Sequence, residues 1–158
     1  MSNRWVPFMA FLPLVGCAAA PASTQASASA QTERCSDAPP EVTSRLVGSA
    51  SVEGVEPLYG VANSNPNGQE SRLLGATIHL RPREPTTVEA VTHALYCFGA
   101  AEAIRGHGGS PYWLEGPVDI AVKFGEDAYV VTLQGHDLRE ATEILTRARS
   151  FGASSSNH

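Results

Sequence analysis

Two runs of alternating apolar residues, separated by a short polar turn, constrain the fold of this 158-residue chain more than any other feature. Residues 118–124 and 129–133 place an apolar side chain at every second position, and Gly125-Glu126-Asp127 separate the two runs. A period of two is typical of a strand with one buried face, and a glycine-containing turn allows the chain to reverse. This region therefore predicts an antiparallel β-hairpin.

A strand and a helix are expected immediately before this hairpin. Apolar residues alternate over residues 74–80, which predicts a strand that ends at Pro82. Thr86 and Glu89 have the spacing of a capping box, so we expect a helix to begin there and to end at the glycines of 106–109. Its apolar side chains have the spacing of a core-facing stripe, namely Val88, Val91, Leu95 and Phe98.

A second helix is expected after the hairpin, whereas residues 36–72 have no clear period. Asp137 and Glu140 form another capping box, and Gly152 closes the helix that follows them. Within 36–72, prolines and polar residues favour turns, and residues 46–55 predict only one short strand or helix.

The predicted order is thus β-α-β-β-α, with or without a further strand before it. Two amphipathic helices on one face of a small antiparallel sheet would bury both apolar stripes, which gives an α+β fold. The order resembles that of ferredoxin-like domains but lacks their last strand. Because the resemblance concerns element order alone, it implies no function.

The amino-terminal residues have the features of an export signal. Arg4 precedes an apolar run over residues 5–15, which contains two prolines and is too short to span a bilayer. The run ends in LVGC at residues 14–17, and this sequence resembles the lipobox of bacterial lipoproteins. The resemblance implies that residues 1–16 are a signal peptide that is removed. It also implies that lipid chains attached to Cys17 anchor the protein to the membrane.

The rest of the chain divides into a tether, one domain and a tail. Residues 17–34 comprise the lipidated cysteine and a flexible Ala/Ser-rich tether, which has too few apolar residues to fold. Residues 35–152 form the single α+β domain, and residues 153–158 a disordered tail. Ala18, in place of an aspartate, favours the outer membrane within the cell envelope. The net charge of −5 argues against a nucleic-acid partner, because phosphates require a basic surface.

Cys35 and Cys97 are the two cysteines that lipidation leaves. Export would place both in an oxidising compartment, where a pair of cysteines favours a disulfide. On a helical projection Cys97 lies away from the apolar stripe, so that a separate segment can reach it. Closing so long a loop contributes about 4 kcal/mol in the chain-entropy model. Two unpaired thiols and an intermolecular bridge are the alternatives.

Cys97 is also a candidate ligand in a competing hypothesis, which is a metal site. His93 and Cys97 are four residues apart on one face of the predicted helix, and thiolate with imidazole suits copper or zinc. His107 in the glycine loop and His79 on the strand are further candidate ligands, although their spacing does not bring them together. A solvated histidine beside a disulfide, with no cofactor, is the leading interpretation.

The loop over residues 106–117 is the candidate binding surface. Tyr112 and Trp113 belong to residue types enriched at interaction hot spots. The alternative, that both rings fold back to cover the edge or the open face of the sheet, is the favoured one of the two. We assign no catalytic residue and expect no enzyme, because the chain has neither a Gly-x-Ser-x-Gly motif nor a Walker-type phosphate loop.

Four short motifs carry a further resemblance: Gly75-Ala76-x-Ile78, Thr87-x-Glu89, Leu95-x-Cys97 and Glu143-Ile144-Leu145-x-Arg147-Ala148. With these motifs, residues 72–151 resemble a group of lipoproteins from high-GC Gram-negative bacteria to which no activity is assigned. That group has a histidine where this chain has Phe98, so one candidate metal ligand is missing here.

These observations lead to two hypotheses about function. The leading one is a non-catalytic structural or interaction module, anchored to the envelope membrane through Cys17, with another envelope protein as its partner. The alternative is a periplasmic metal-binding lipoprotein that uses His93, Cys97 and His107.

Overall fold

A computed structural model of the protein describes residues 34–65, 68–106 and 109–154. The expected signal peptide, Cys17, the expected tether up to residue 33 and the last four residues lie outside the described residues. Within the described ranges the helices and strands are, in chain order, α1 (Pro40–Val47), β1 (Val52–Asn65), β2 (Gly68–Leu80), α2 (Val88–Ile104), β3 (Asp119–Phe124), β4 (Tyr129–Gln134) and α3 (Leu138–Ala153).

The four strands form one antiparallel sheet in the order β1-β2-β4-β3. This confirms the predicted α+β fold, and β2, α2, β3, β4 and α3 follow the expected β-α-β-β-α order. The last strand of a ferredoxin-like sheet was expected to be absent. In the structure its place beside β2 is taken by β1, which precedes the other strands in sequence.

The core lies between the sheet and the two longer helices. Alternate residues of β2 and β4 point into it, whereas the residues between them on the other sheet face are partly accessible. Helices α2 and α3 contribute residues to the same core, so both cover one face of the sheet, as predicted. The fully buried members include Ile78, Leu80, Val131, Leu133, Val91, Leu95, Ile144 and Ala148.

The β1–β2 hairpin is the largest difference from expectation. Residues 36–72 were expected to be mainly turns, yet β1 has 14 residues and β2 has 13. Pro57 is tolerated because β1 is an edge strand, where a missing N–H removes no bond to a further strand. A register shift between Leu58 and Tyr59 also interrupts the alternation on which a strand prediction depends.

Gly75 lies at this irregularity, where β2 begins to pair with β4. Its φ of 155° is in the range that side chains rarely adopt, and an added Cβ would approach the Leu133 carbonyl oxygen to 2.0 Å. Glycine at this position therefore allows the long hairpin and the sheet to join.

Residues 46–55 were expected to form one short element. They instead contain the end of α1, a single 3₁₀ turn at Ser49–Ser51 and the start of β1. The Ser51 hydroxyl stabilises this turn by donating to the Arg45 carbonyl oxygen over 2.8 Å. The spacing of apolar residues in the sequence does not predict this hydrogen bond.

The two predicted helix starts differ in accuracy. Asp137 caps α3 as predicted, since its carboxylate accepts from the Glu140 N–H over 2.8 Å. The cap of α2 is Thr87 rather than Thr86, and it accepts from the Ala90 N–H over 3.2 Å. Thr86 precedes the cap residue by one position, and its backbone carbonyl oxygen accepts from the Tyr129 hydroxyl. Helix α3 also continues one residue past Gly152.

Candidate functional site

The outer face of α2 carries the cluster of side chains with the most distinctive chemistry. Cys97 is bonded to Cys35, with 2.02 Å between the sulfurs and 5.6 Å between the Cα atoms. These values are ordinary for a disulfide. The pairing joins residues 62 positions apart and has the partners that the sequence predicted.

Helix α1 explains how Cys35 reaches this face. The turn that begins α1 is closed by a hydrogen bond from the Ala38 N–H to the Cys35 carbonyl oxygen, and α1 then packs against α2. Thr43 and Val47 are the buried side chains of α1. Cys97 is consequently buried, although it lies off the stripe that faces the sheet. The segment before β1 therefore covers the face of α2 that the helical projection left open.

His93 lies one turn before Cys97 and stands over the disulfide. Its Nε2 atom is 3.6 Å from the Cys97 sulfur and 3.9 Å from the Asp37 carboxylate oxygen Oδ1. The His93 side chain is 43% exposed, whereas both cysteines are buried. One ligand atom each from Cys35, His93 and Cys97 lie within 4.8 Å of one another.

The sequence predicted only part of this cluster. It paired His93 with Cys97 through their four-residue spacing, but it did not assign Asp37, which follows Cys35 by two residues. His79 lies on β2 opposite Gly54 and Val130 and is not a member of the cluster. His107 lies outside the described residues.

Tyr112 and Trp113 are buried, so the candidate assignment of both to a binding surface is wrong. The rings fold back, as the favoured alternative expected, but they pack on helices rather than on the sheet. Tyr112 is fully buried, and its ring makes edge-to-face contacts with Phe98 and Phe151 at centroid distances of 6.1 and 5.7 Å. Its hydroxyl donates to the Val47 carbonyl oxygen over 3.4 Å. The ring packs inside the helical layer rather than on the sheet edge.

Trp113 packs against α2, next to Ala100 and Ala103. Its carbonyl oxygen accepts a hydrogen bond from Arg147 of α3, so the loop residue links both long helices. Its indole N–H is buried and has no hydrogen-bond partner among the described residues. Small alanines on α2 leave the space that the indole fills, which the sequence alone does not indicate.

Within the part of the chain that the structure describes, the pKa values of Glu89 and Tyr112 are shifted, and both shifts have structural explanations. Hydrogen bonds from its own backbone N–H and from the Thr87 hydroxyl hold the pKa of Glu89 below its ordinary value. Burial raises the pKa of Tyr112 above that of a free phenol. Helix capping and core packing account for these shifts, and neither group lies in a cleft beside a nucleophile.

One surface groove is lined by none of the residues of the cluster on the outer face of α2. It encloses about 380 Å³ beside the Arg81–Thr86 loop, and Phe124 and Tyr129 form its apolar wall. One of its charged side chains, Arg81, contacts the Glu53 carboxylate and donates to the Asp127 carbonyl oxygen.

The chain matches no known protein-family model, no curated protein and no solved structure. Within the described ranges, none of the helices is both long enough and apolar enough to cross a bilayer.

Proposed function

We propose that this protein is a lipid-anchored domain of the bacterial cell envelope that acts as a non-catalytic structural or interaction module. The observation that carries the proposal is the Cys35–Cys97 disulfide. Such bonds persist in oxidising compartments and are rare in the cytosol, so the bond favours an exported domain.

The amino-terminal sequence supports the same compartment independently. An apolar run after Arg4 ends in LVGC, so export and lipidation at Cys17 would be two consequences of one signal. Two or more acyl chains would anchor the domain stably, and residues 18–33 would serve as the spacer between the bilayer and the fold. Ala18 favours the outer membrane as the final location.

The titratable groups and cysteines of the folded domain favour a binding or structural role over a catalytic one. The shifted pKa values belong to a helix cap and a core phenol, as described above. His93 lies beside Cys97, which is bonded to Cys35. Neither sulfur is therefore available as a nucleophile.

The partner surface proposed here excludes Tyr112 and Trp113, because both are buried. Exposed apolar side chains occur instead on β1 and at the end of β3. Tyr59 is 60% exposed, and Val61 and Phe124 are each 64% exposed. Tyr59 and Val61 are two residues apart on β1, and this is where a second envelope protein would find apolar contact area, whereas Phe124 lies at the opposite edge and end of the sheet.

Replacement of the lipidated cysteine tests the anchor. The Cys17→Ser variant should move from the membrane fraction to the soluble envelope fraction, and mass spectrometry of the parent should find residue 17 acylated at the new amino terminus. The Cys35→Ser/Cys97→Ser variant is the matched control, because it loses two cysteines yet keeps Cys17 and should stay with the membrane. An intact leader with an unmodified Cys17 would refute the proposal.

A further inference from the structure

The cluster on the outer face of α2 has the spacing of a metal site as well as that of a disulfide. In tetrahedral zinc sites sulfur lies about 2.3 Å and nitrogen about 2.0–2.1 Å from the ion, so these two ligands are roughly 3.5 Å apart. The distance from His93 Nε2 to the Cys97 sulfur is 3.6 Å. These two atoms therefore need almost no movement to share one ion.

The donor set also fits zinc. Reduction of the disulfide would give two thiols, whose deprotonated sulfurs, with one imidazole, make up three of the four ligands of a tetrahedral zinc site. The Asp37 carboxylate is 3.9 Å from His93 Nε2, close to the spacing of roughly 3.4 Å that two such ligands of one zinc ion have. A carboxylate oxygen as the fourth ligand suits Zn²⁺ better than Cu⁺, which prefers soft sulfur and nitrogen ligands.

The rest of the fold would keep these residues together without the sulfur–sulfur bond. Val47 of α1 is fully buried, and its carbonyl oxygen accepts from the Tyr112 hydroxyl. His93 and Cys97 occupy successive turns of α2, so their separation does not depend on the bond to Cys35. His93 is partly exposed and Asp37 is exposed, which gives an ion a path from solvent.

We propose that Cys35, His93, Cys97 and Asp37 form a zinc site that is available only when the disulfide is reduced. In the first step a dithiol donates two electrons and two protons, so that the sulfur–sulfur bond becomes two thiols and the donor becomes a disulfide. Zinc then binds both sulfurs and displaces the two thiol protons to solvent. The disulfide and the zinc site are thus alternative states of one cluster, and this inference does not depend on the lipid anchor.

The test compares oxidised and reduced full-length protein in a Cys17→Ser background, so that the two cysteines of the cluster are the only ones in the chain. A trialkylphosphine is the reductant in vitro, because it takes one oxygen from water and leaves two thiols. Zinc affinity is measured by competition with a chromophoric chelator. The reduced protein should bind one Zn²⁺ per chain and the oxidised protein none. Equal binding by both forms would overturn the proposal.

Cobalt substitution checks the ligand types. Co²⁺ added to the reduced protein should give thiolate-to-metal charge-transfer bands and the intense visible bands of a tetrahedral site. Absence of the charge-transfer bands would show that the sulfurs do not bind the metal, and would overturn the proposal.

A histidine variant separates a folded site from two thiols on a loosened chain. The His93→Gln variant keeps both cysteines and should weaken Zn²⁺ binding about tenfold or more. His136→Gln is the matched control, because His136 is exposed at the other end of the fold and should leave the affinity unchanged. Equal affinities for His93→Gln and the parent would refute the site.

The thermal midpoint of the reduced protein gives a second readout. Zinc should raise the midpoint of the reduced parent, because it binds the folded state. It should raise the midpoint of reduced His93→Gln much less and leave the oxidised parent unchanged. A reduced parent that stays unfolded in the presence of zinc would also overturn the proposal.

Discussion

The face of α2 that packs on the sheet and the face that packs on the amino-terminal segment are held by different physical means. The sheet face buries Val91 and Leu95 completely in the main core. The outer face is covered by α1, a helix of eight residues, and the Cys35–Cys97 bond joins it to the segment just before α1.

The difference follows from how much apolar surface each partner offers. A four-stranded sheet and α3 supply a broad apolar layer, whose burial stabilises the inner face at about 25 cal/mol per Å². Helix α1 buries only Thr43 and Val47 among its eight residues. Isolated helices of this length are marginal in water, so the covalent link adds stability to the packing of α1 on α2.

Removal of the disulfide is the strongest test of this comparison. The Cys35→Ser/Cys97→Ser variant should lose about 4 kcal/mol of unfolding free energy, because the bond closes a loop of 62 positions. Denaturant unfolding without metal ions measures the loss, and the reduced parent serves as the control. A loss below about 1 kcal/mol would show that the bond adds little to the packing of α1 on α2.

Truncation of the inner face should have a slightly smaller effect. Leu95→Ala should cost about 3 kcal/mol, because Leu95 is fully buried and the rigid sheet cannot fill the cavity. Leu138→Ala is the matched control, since Leu138 on α3 is 57% exposed and should cost about 0.5 kcal/mol or less. Similar losses in both variants would contradict the assignment of the inner face to the core.

The comparison also shows which parts of the fold a sequence pattern can predict. The β3–β4 hairpin and α3 were predicted closely, because turn residues, alternation and the Asp137 cap all act within a few residues. Helix α1 and the first half of the β1–β2 hairpin were not. The hairpin depends on an edge position that tolerates Pro57 and on a register shift that interrupts the alternation.

The residues of the candidate site likewise divide into those that local sequence patterns predict and those that distant contacts decide. The Cys35–Cys97 pair was predictable because few cysteines were left to pair, and the four-residue spacing placed His93 beside Cys97. Tyr112 was misassigned because the direction of a loop side chain is decided by distant contacts. Its hydroxyl bonds to Val47, which is 65 positions away.

Tyr112 lies where the two faces of α2 meet, so its titration gives a third test. A buried neutral phenol keeps its proton in the folded state, whereas an unfolded tyrosine releases its proton near pH 10. Because the unfolded state then binds fewer protons, stability should fall as pH rises above about 10, with a limiting slope of about 1.4 kcal/mol per pH unit.

The Tyr112→Phe variant should lose most of this alkaline dependence. At pH 7 it should cost about 1 kcal/mol, because only the hydrogen bond to the Val47 carbonyl oxygen is removed. Tyr59→Phe is the control, because Tyr59 is exposed and should leave the pH profile unchanged. Unfolding free energies at pH 8 and pH 11 measure the effect, and identical profiles for both variants would contradict burial of the Tyr112 hydroxyl.

The start of α2 gives the smallest expected effect and the most local test. Thr87→Ala should cost about 1 kcal/mol, because the Ala90 N–H loses its acceptor. Thr86→Ala should cost less, since the Thr86 group that bonds to Tyr129 is its backbone oxygen, which alanine keeps. Thr87→Ala should also raise the pKa of Glu89 toward its ordinary value, because the Thr87 hydroxyl helps to lower it. Carboxyl NMR titration of both variants measures this change. If Thr86→Ala is the more damaging substitution, α2 begins one residue earlier, and both of its faces would then have to be assigned again from that start.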